Sequence, residues 1–82
     1  MRAVFVLVKT DPGHVTSVAN QIGLIETFSE AYSTSGEYDL LVKLYVKEID
    51  MLGRLIETDL HSIPHVRETF TILTFEAFAP KR

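Results

Sequence analysis

The sequence predicts an α+β domain with the element order β-α-β-β-α-β. Three observations carry this expectation. Residues 3–9 and 38–46 are apolar in the alternating or continuous manner of strands. Residues 15–22 and 49–61 carry apolar side chains at helical spacing. Between these segments stand Thr10-Asp11-Pro12-Gly13, Ser35-Gly36-Glu37 and Pro64, which punctuate the chain where regular structure must stop.

In the first strand, residues 3–9, Val4, Val6 and Val8 point one way and Ala3, Phe5 and Leu7 the other, which suits a central strand covered on both faces. Asp11 is placed to cap the following helix, with Pro12 in its first turn, where a missing N–H costs nothing. Val15, Val18, Ala19 and Ile22 then fall on one helical stripe, and Gly23 stands where a helix-terminating glycine is expected. Residues 25–34 read as a second strand with Phe28 and Tyr32 on one face. Residues 38–46 read as a third, with Tyr38, Leu40, Val42, Leu44 and Val46 opposite Asp39, Leu41, Lys43 and Tyr45. The short turn at Gly36 makes these two strands a hairpin. The second helix, residues 49–61, carries Ile49, Leu52, Ile56 and Leu60 on one stripe with Leu55 beside it and ends before Pro64, while Gly53 within it costs about 1 kcal/mol relative to alanine. The last strand covers residues 66–78, with Phe70 and Ile72 on one face and Leu73 and Phe75 on the other.

This order is the split βαβ, or ferredoxin-like, arrangement: two helices on one face of a four-stranded antiparallel sheet. The other face is expected to carry Phe5 or Leu7, Leu41, Tyr45, Leu73 and Phe75. Such a face is too apolar to leave wet, which predicts a face-to-face dimer, a dimeric α/β sandwich of the α+β-barrel type. Residues 1–79 form the one domain, with residues 80–82 as a tail.

Composition narrows the function classes. A chain of 82 residues buries a modest share of its surface, and with no cysteine it has neither disulfides nor thiolate metal sites to support it, which leaves oligomerisation. The formal net charge of -3 argues against unaided nucleic-acid binding. No apolar run approaches the roughly 18 residues of a membrane helix, and the N-terminal apolar stretch is too short and strand-like for a signal peptide, so a soluble cytoplasmic protein is expected. His61 and His65 have metal-ligand spacing, but Pro64 intervenes and a ligand set is lacking, so no metal and no cofactor is expected. His14 is expected to be solvated. The four glycines are scattered, outside any phosphate-binding motif.

The informative residues are Tyr32, Gly36, Glu37, Tyr38 and Asp39 around the hairpin turn, with Thr69 and Thr71 on the last strand. On chemistry alone they have a plain structural reading: Gly36 permits the turn, Asp39 faces solvent, and the threonines favour strands. They also suit a free amino acid. Asp39 can receive its ammonium, while loop N–H groups near Gly36 and the threonine hydroxyls receive its carboxylate.

The segment Gly36-Glu37-Tyr38-Asp39-Leu40-Leu41-Val42-Lys43 resembles the G-x-Y-D-hydrophobic signature of the effector domain of Lrp/AsnC regulators. Ile63-Pro64-His65-Val66-Arg67-Glu68-Thr69-Phe70-Thr71 is similar to that family's I-P-G-V-x-x-T-x-T run, with His65 in place of the glycine. The resemblance implies a dimeric sandwich that assembles further, commonly as four dimers in a ring. It also implies a small effector, typically an amino acid, bound between dimers beside Gly36, Glu37, Tyr38 and Asp39, with Thr69 and Thr71. Tyr32 joins this set by its neighbourhood alone. Full-length members carry an N-terminal helix-turn-helix domain, whereas this sequence opens on the first strand. The expectation is a stand-alone sensing and assembly module without catalysis, not binding DNA directly, able to join full-length regulators through a shared dimer surface. The alternative is a small dimeric α/β-barrel enzyme, a monooxygenase or isomerase, which would need an acid–base pair inside each sandwich. An ACT-type amino-acid-binding domain shares the strand order but lacks the G-x-Y-D signature.

Overall fold

The computed structural model describes residues 1–81. Its elements follow the expected order: β1 (Arg2–Thr10), α1 (Val15–Ile22), β2 (Phe28–Ser33), β3 (Leu40–Val46), a second helix and β4 (Val66–Leu73). The second helix has three parts, a 3-10 turn (Ile49–Met51), an α-helical turn, α2 (Leu52–Leu55), and a π-helical segment (Ile56–Leu60). The strands form one antiparallel sheet in the order β2-β3-β1-β4.

The alternation in β1 and β3 decides the layering. Val4, Val6 and Val8 pair with Leu44, Val42 and Leu40, and all six are buried beneath Val18 and Ile22 of α1 and Leu52 and Leu60 of the second helix. Burying each such side chain stabilises the fold by about 1.5–3 kcal/mol. Their neighbours Phe5, Leu7 and Leu41 stand on the opposite face, which no helix among the described residues covers. Tyr45, Phe70 and Ile72 complete that face and remain 37%, 54% and 38% exposed.

Several expected details differ. Helix α1 starts at Val15 rather than beside an Asp11 cap, because Asp11 to His14 instead form a turn. His14 N–H donates to the Asp11 carbonyl at 3.2 Å and Gly13 takes φ +82°, the geometry that a Pro-Gly pair favours in a type II turn. Gly23 remains right-handed (φ -61°), so α1 ends without a left-handed cap. A bulge between Phe28 and Glu30 puts Phe28 opposite Leu44 on the helix side and Tyr32 opposite Leu41 on the open side, not on one face. β3 begins at Leu40, since Tyr38 and Asp39 belong to the turn, and β4 ends at Leu73 rather than at residue 78. Leu73 pairs with Val4 and so lies on the helix side, and Phe75 lies beyond the strand. The open face is therefore completed by Phe70 and Ile72, not by Leu73 and Phe75.

His65 adopts φ +75°, the one non-glycine residue with positive φ among those described. Its carbonyl accepts the Asp11 N–H at 2.9 Å, so the turn before β4 is tied to the end of β1. A side chain in this region costs about 1–2 kcal/mol. We expect His65→Gly to be more stable than His65→Ala by about 1 kcal/mol in denaturant unfolding, the reverse of the usual order. Equal stabilities, or a more stable alanine variant, would show that the position carries no backbone strain.

Candidate functional site

The hairpin turn is closed across its neck by two bonds. Thr34 N–H donates to the Asp39 carbonyl at 3.0 Å, and the Thr34 hydroxyl donates to the Tyr38 carbonyl at 2.9 Å. Gly36 at the tip takes φ +98°, which only glycine adopts without strain. Asp39 then ties the turn to β1. Its N–H donates to the Val8 carbonyl at 2.9 Å, and its Oδ2 accepts the Thr10 N–H at 2.8 Å and the Thr10 hydroxyl at 3.3 Å. Thr10 is buried, so this carboxylate oxygen satisfies a donor that water does not reach. Among the described residues Oδ1 has no hydrogen-bond partner. An aspartate at the start of a strand is thus explained first by the strand end it secures.

The expected site residues do not all share one face. Tyr38 lies toward the open face, its ring 6.4 Å from that of Phe70, and burial, then the charges of Glu68 and Glu37, raise its hydroxyl above the ordinary tyrosine pKa. Tyr32 is also on the open face; its hydroxyl donates to Glu30 at 3.1 Å, and that bond raises its pKa. Glu37 is exposed at the tip. Thr69 and Thr71 pair with Val8 and Val6 and therefore lie on the helix side, where the Thr69 hydroxyl is 2.8 Å from His61 Nε2. Within one chain the sheet separates the tyrosines from the threonines, and Asp39 and Gly36 sit at the sheet end between them.

Sequence reasoning missed a polar cluster at this same end of the sheet. The rings of His14 and His65 stack with centroids 3.5 Å apart and an interplanar angle of 10°, so His14 is not simply solvated. Asp11 Oδ2 lies 3.2 Å from His65 Nδ1, and its Oδ1 lies 3.6 Å from Arg67 Nε. His14 and His65 border a depression of about 440 Å³ that also touches Ser17, Gln21 and Pro64. The signals available were the Asp-Pro-Gly turn and the histidine in the family's glycine position; nothing in a linear reading brings residues 14 and 65 together. The His65–Asp11 pair is 42% and 44% exposed, in contrast to the enclosed acid–base pair that the enzyme alternative requires. Among the described residues no cluster of three or more His, Asp or Glu could hold a metal ion.

A larger cleft, about 730 Å³, opens at the opposite end of the sheet, between the β2 and β3 ends and the second helix. Depth and the polar constellation therefore do not coincide. The cleft gave no signal in the sequence because its walls come from Phe28, Tyr45 and Leu55, which read as ordinary strand and helix positions.

Comparison with known proteins agrees with this architecture. The family model described as the Lrp/AsnC ligand binding domain matches residues 3–82. The HTH-type transcriptional regulator FL11 of Pyrococcus abyssi is 32% identical over 72 residues, covering 88% of this chain and 47% of that regulator. The chain thus spans about half the length of the regulators it matches. A homocitrate synthase of Sulfolobus acidocaldarius is 38% identical over 60 residues, covering 73% of this chain but 13% of the enzyme. Among solved structures, TTHA0845 from Thermus thermophilus superposes with a TM-score of 0.90 at 28% identity, covering 98% of this chain and 100% of that one. The regulator NMB0573 of Neisseria meningitidis, solved as an L-Met complex, shares the fold with a TM-score of 0.85 at 12% identity, covering 96% of this chain and 53% of that one. The one-sided sheet, the G-x-Y-D turn clamped to β1 and the match over nearly the whole length lead to one conclusion: the chain belongs to the Lrp/AsnC ligand-binding domain family.

Proposed function

We propose that this chain is an amino-acid-sensing and assembly module without chemistry of its own, and that its effector is held beside the Gly36–Asp39 turn between associated dimers. The observation that carries this reading is the turn itself. Asp39 spends Oδ2 on Thr10 and keeps Oδ1 for an incoming ammonium, while the glycine tip leaves loop N–H groups accessible to a carboxylate. Thr69 and Thr71 lie across the sheet from the tyrosines, so one chain supplies only part of such a site and a neighbouring subunit completes it.

Two further observations support the reading. The domain matches about half of a DNA-binding regulator and a small fraction of a biosynthetic enzyme, which suits a regulatory unit separable from either activity. The related fold of NMB0573 was solved with L-Met, which makes free amino acids the appropriate first probes. With a net charge of -3 the module acts on DNA only through a partner, and full-length family regulators sharing the same dimer surface are the natural candidates.

The proposed dimer forms through the open sheet face, where Phe5, Leu7, Leu41 and Tyr45 adjoin Phe70 and Ile72. Lys43 lies across it, 5.9 Å from the Phe5 ring centroid and 5.0 Å from that of Tyr45, covering aromatic faces with its stem and charge. Tyr45 chiefly raises the Lys43 pKa, opposed by desolvation.

Two outcomes test the proposal. Calorimetric titration with each of the twenty amino acids should find one or a few ligands, and Asp39→Asn should weaken them at least tenfold while leaving the melting temperature nearly unchanged, because asparagine still accepts the Thr10 N–H. Unaltered affinity in Asp39→Asn would refute the assignment of the ammonium partner. Separately, Phe70→Glu or Ile72→Glu should yield a monomer in light scattering, since a carboxylate would be buried without a partner. A glutamate variant that stays dimeric would exclude the open face as the interface.

A further inference from the structure

We propose that the segment following β4, residues 74–81, is a docking arm that seats Phe75 and Phe78 in the large cleft of a second copy of the chain. Phe75 and Phe78 are 94% and 83% exposed, far more than the aromatic residues of the sheet. Two exposed phenylalanines three residues apart, on a segment with no regular structure, are costly to leave in water.

The cleft offers the complementary chemistry. Phe28, Tyr45, Val46, Met51 and Leu55 give it an apolar floor, and its volume of about 730 Å³ is ample for two aromatic side chains. Glu26, Glu48 and Asp59 on its rim face the charge that Lys81 carries, while Lys47 and Arg54 match Glu76, which lies between the phenylalanines. The occupant thus combines apolar and charged groups, as the cleft does.

The way the arm leaves the sheet favours a second copy over the chain's own cleft. Arg2 Nη2 donates to the Thr74 carbonyl at 2.8 Å, and the Thr74 hydroxyl donates to the Ala3 carbonyl at 3.2 Å. These bonds anchor the start of the arm beside β1, at the sheet end where Arg2 pairs with Val46 of the cleft wall. β4 is one edge of the sheet and β2, which borders the cleft, is the other. To enter its own cleft the arm would have to turn back past β1 and β3; instead it stands away with both aromatics exposed. Extended, its eight residues reach roughly 26 Å, enough to cross to a facing subunit. In a twofold pair each chain would both give and receive an arm, so every exposed phenylalanine would be covered at once.

The absence of cysteine allows a direct test. Ala77→Cys on the arm and Thr58→Cys on the cleft rim would be made in separate chains, mixed and oxidised. We expect a heterodimeric disulfide well above that formed between Ala77→Cys and the exposed control Thr16→Cys on α1. Phe75→Ser/Phe78→Ser introduced with Ala77→Cys should abolish the excess, and in the otherwise native chain should raise the dissociation constant of the assembly at least tenfold. No excess over the Thr16 control would overturn the proposal and leave the cleft to another occupant. So would a disulfide formed only within a single chain carrying both cysteines. Amino-acid binding by the native chain is read independently of these results.

Discussion

Each strand of this sheet alternates between a face sealed by helices and a face that its own chain leaves uncovered, and that one-sided burial governs the rest of the molecule. Val4, Val6, Val8, Leu40, Val42 and Leu44 supply the core, and the helices add Val18, Ile22, Leu52 and Leu60 to it. The same alternation necessarily delivers Phe5, Leu7 and Leu41 to the other side. A chain of this size without disulfides has little stability to spare, and in the proposed dimer the second apolar face is where association would complete the fold. In the proposed function sensing and assembly are linked: a site finished by a neighbouring subunit would respond to whatever holds the subunits together, and its ligand would favour the assembled state in return.

Asp39 has a structural role to which the proposed function would add recognition by the same side chain. Its Oδ2 accepts the N–H and hydroxyl of buried Thr10, closing the end of β1 where the ladder runs out. The turn it anchors presents Gly36 and Glu37 at the tip and Tyr38 toward the open face. A carboxylate fixed by its neighbours loses little further freedom on receiving a ligand, which would be the advantage of the proposed recognition group standing at a strand end rather than in a loose loop. The turn at His65 is fixed in a comparable way, with its carbonyl on Asp11 and its ring between Asp11 and His14, although here the side chain occupies a conformation that favours glycine.

Much of the fold was legible because it rests on periodicity. The valines of β1 and the leucines of β3 declared the sheet, and the stripe ending in Ile22 declared α1. What escaped the sequence depended on events of one residue or on long-range pairing. The bulge before Glu30 turned Tyr32 to the face opposite Phe28, and ending β4 at Leu73 exchanged Leu73 and Phe75 for Phe70 and Ile72 on the open face. The G-x-Y-D turn stood out as a local motif, but the role of Asp39 toward Thr10, 29 residues away in sequence, did not. The His14–His65 stack was invisible for the same reason. The three-part character of the second helix also left no mark, because each part is too short for the different periods of 3-10, α and π turns to separate in the apolar spacing.

In the proposed function an amino acid controls how this module assembles. Light scattering after size exclusion, run without ligand and then with each of the twenty amino acids, addresses it most directly. The predicted result is a dimer or a larger ring whose mass shifts with one or a few amino acids and with no others. A single fixed mass that is indifferent to all twenty would contradict the claim, and would leave the family fold serving association alone.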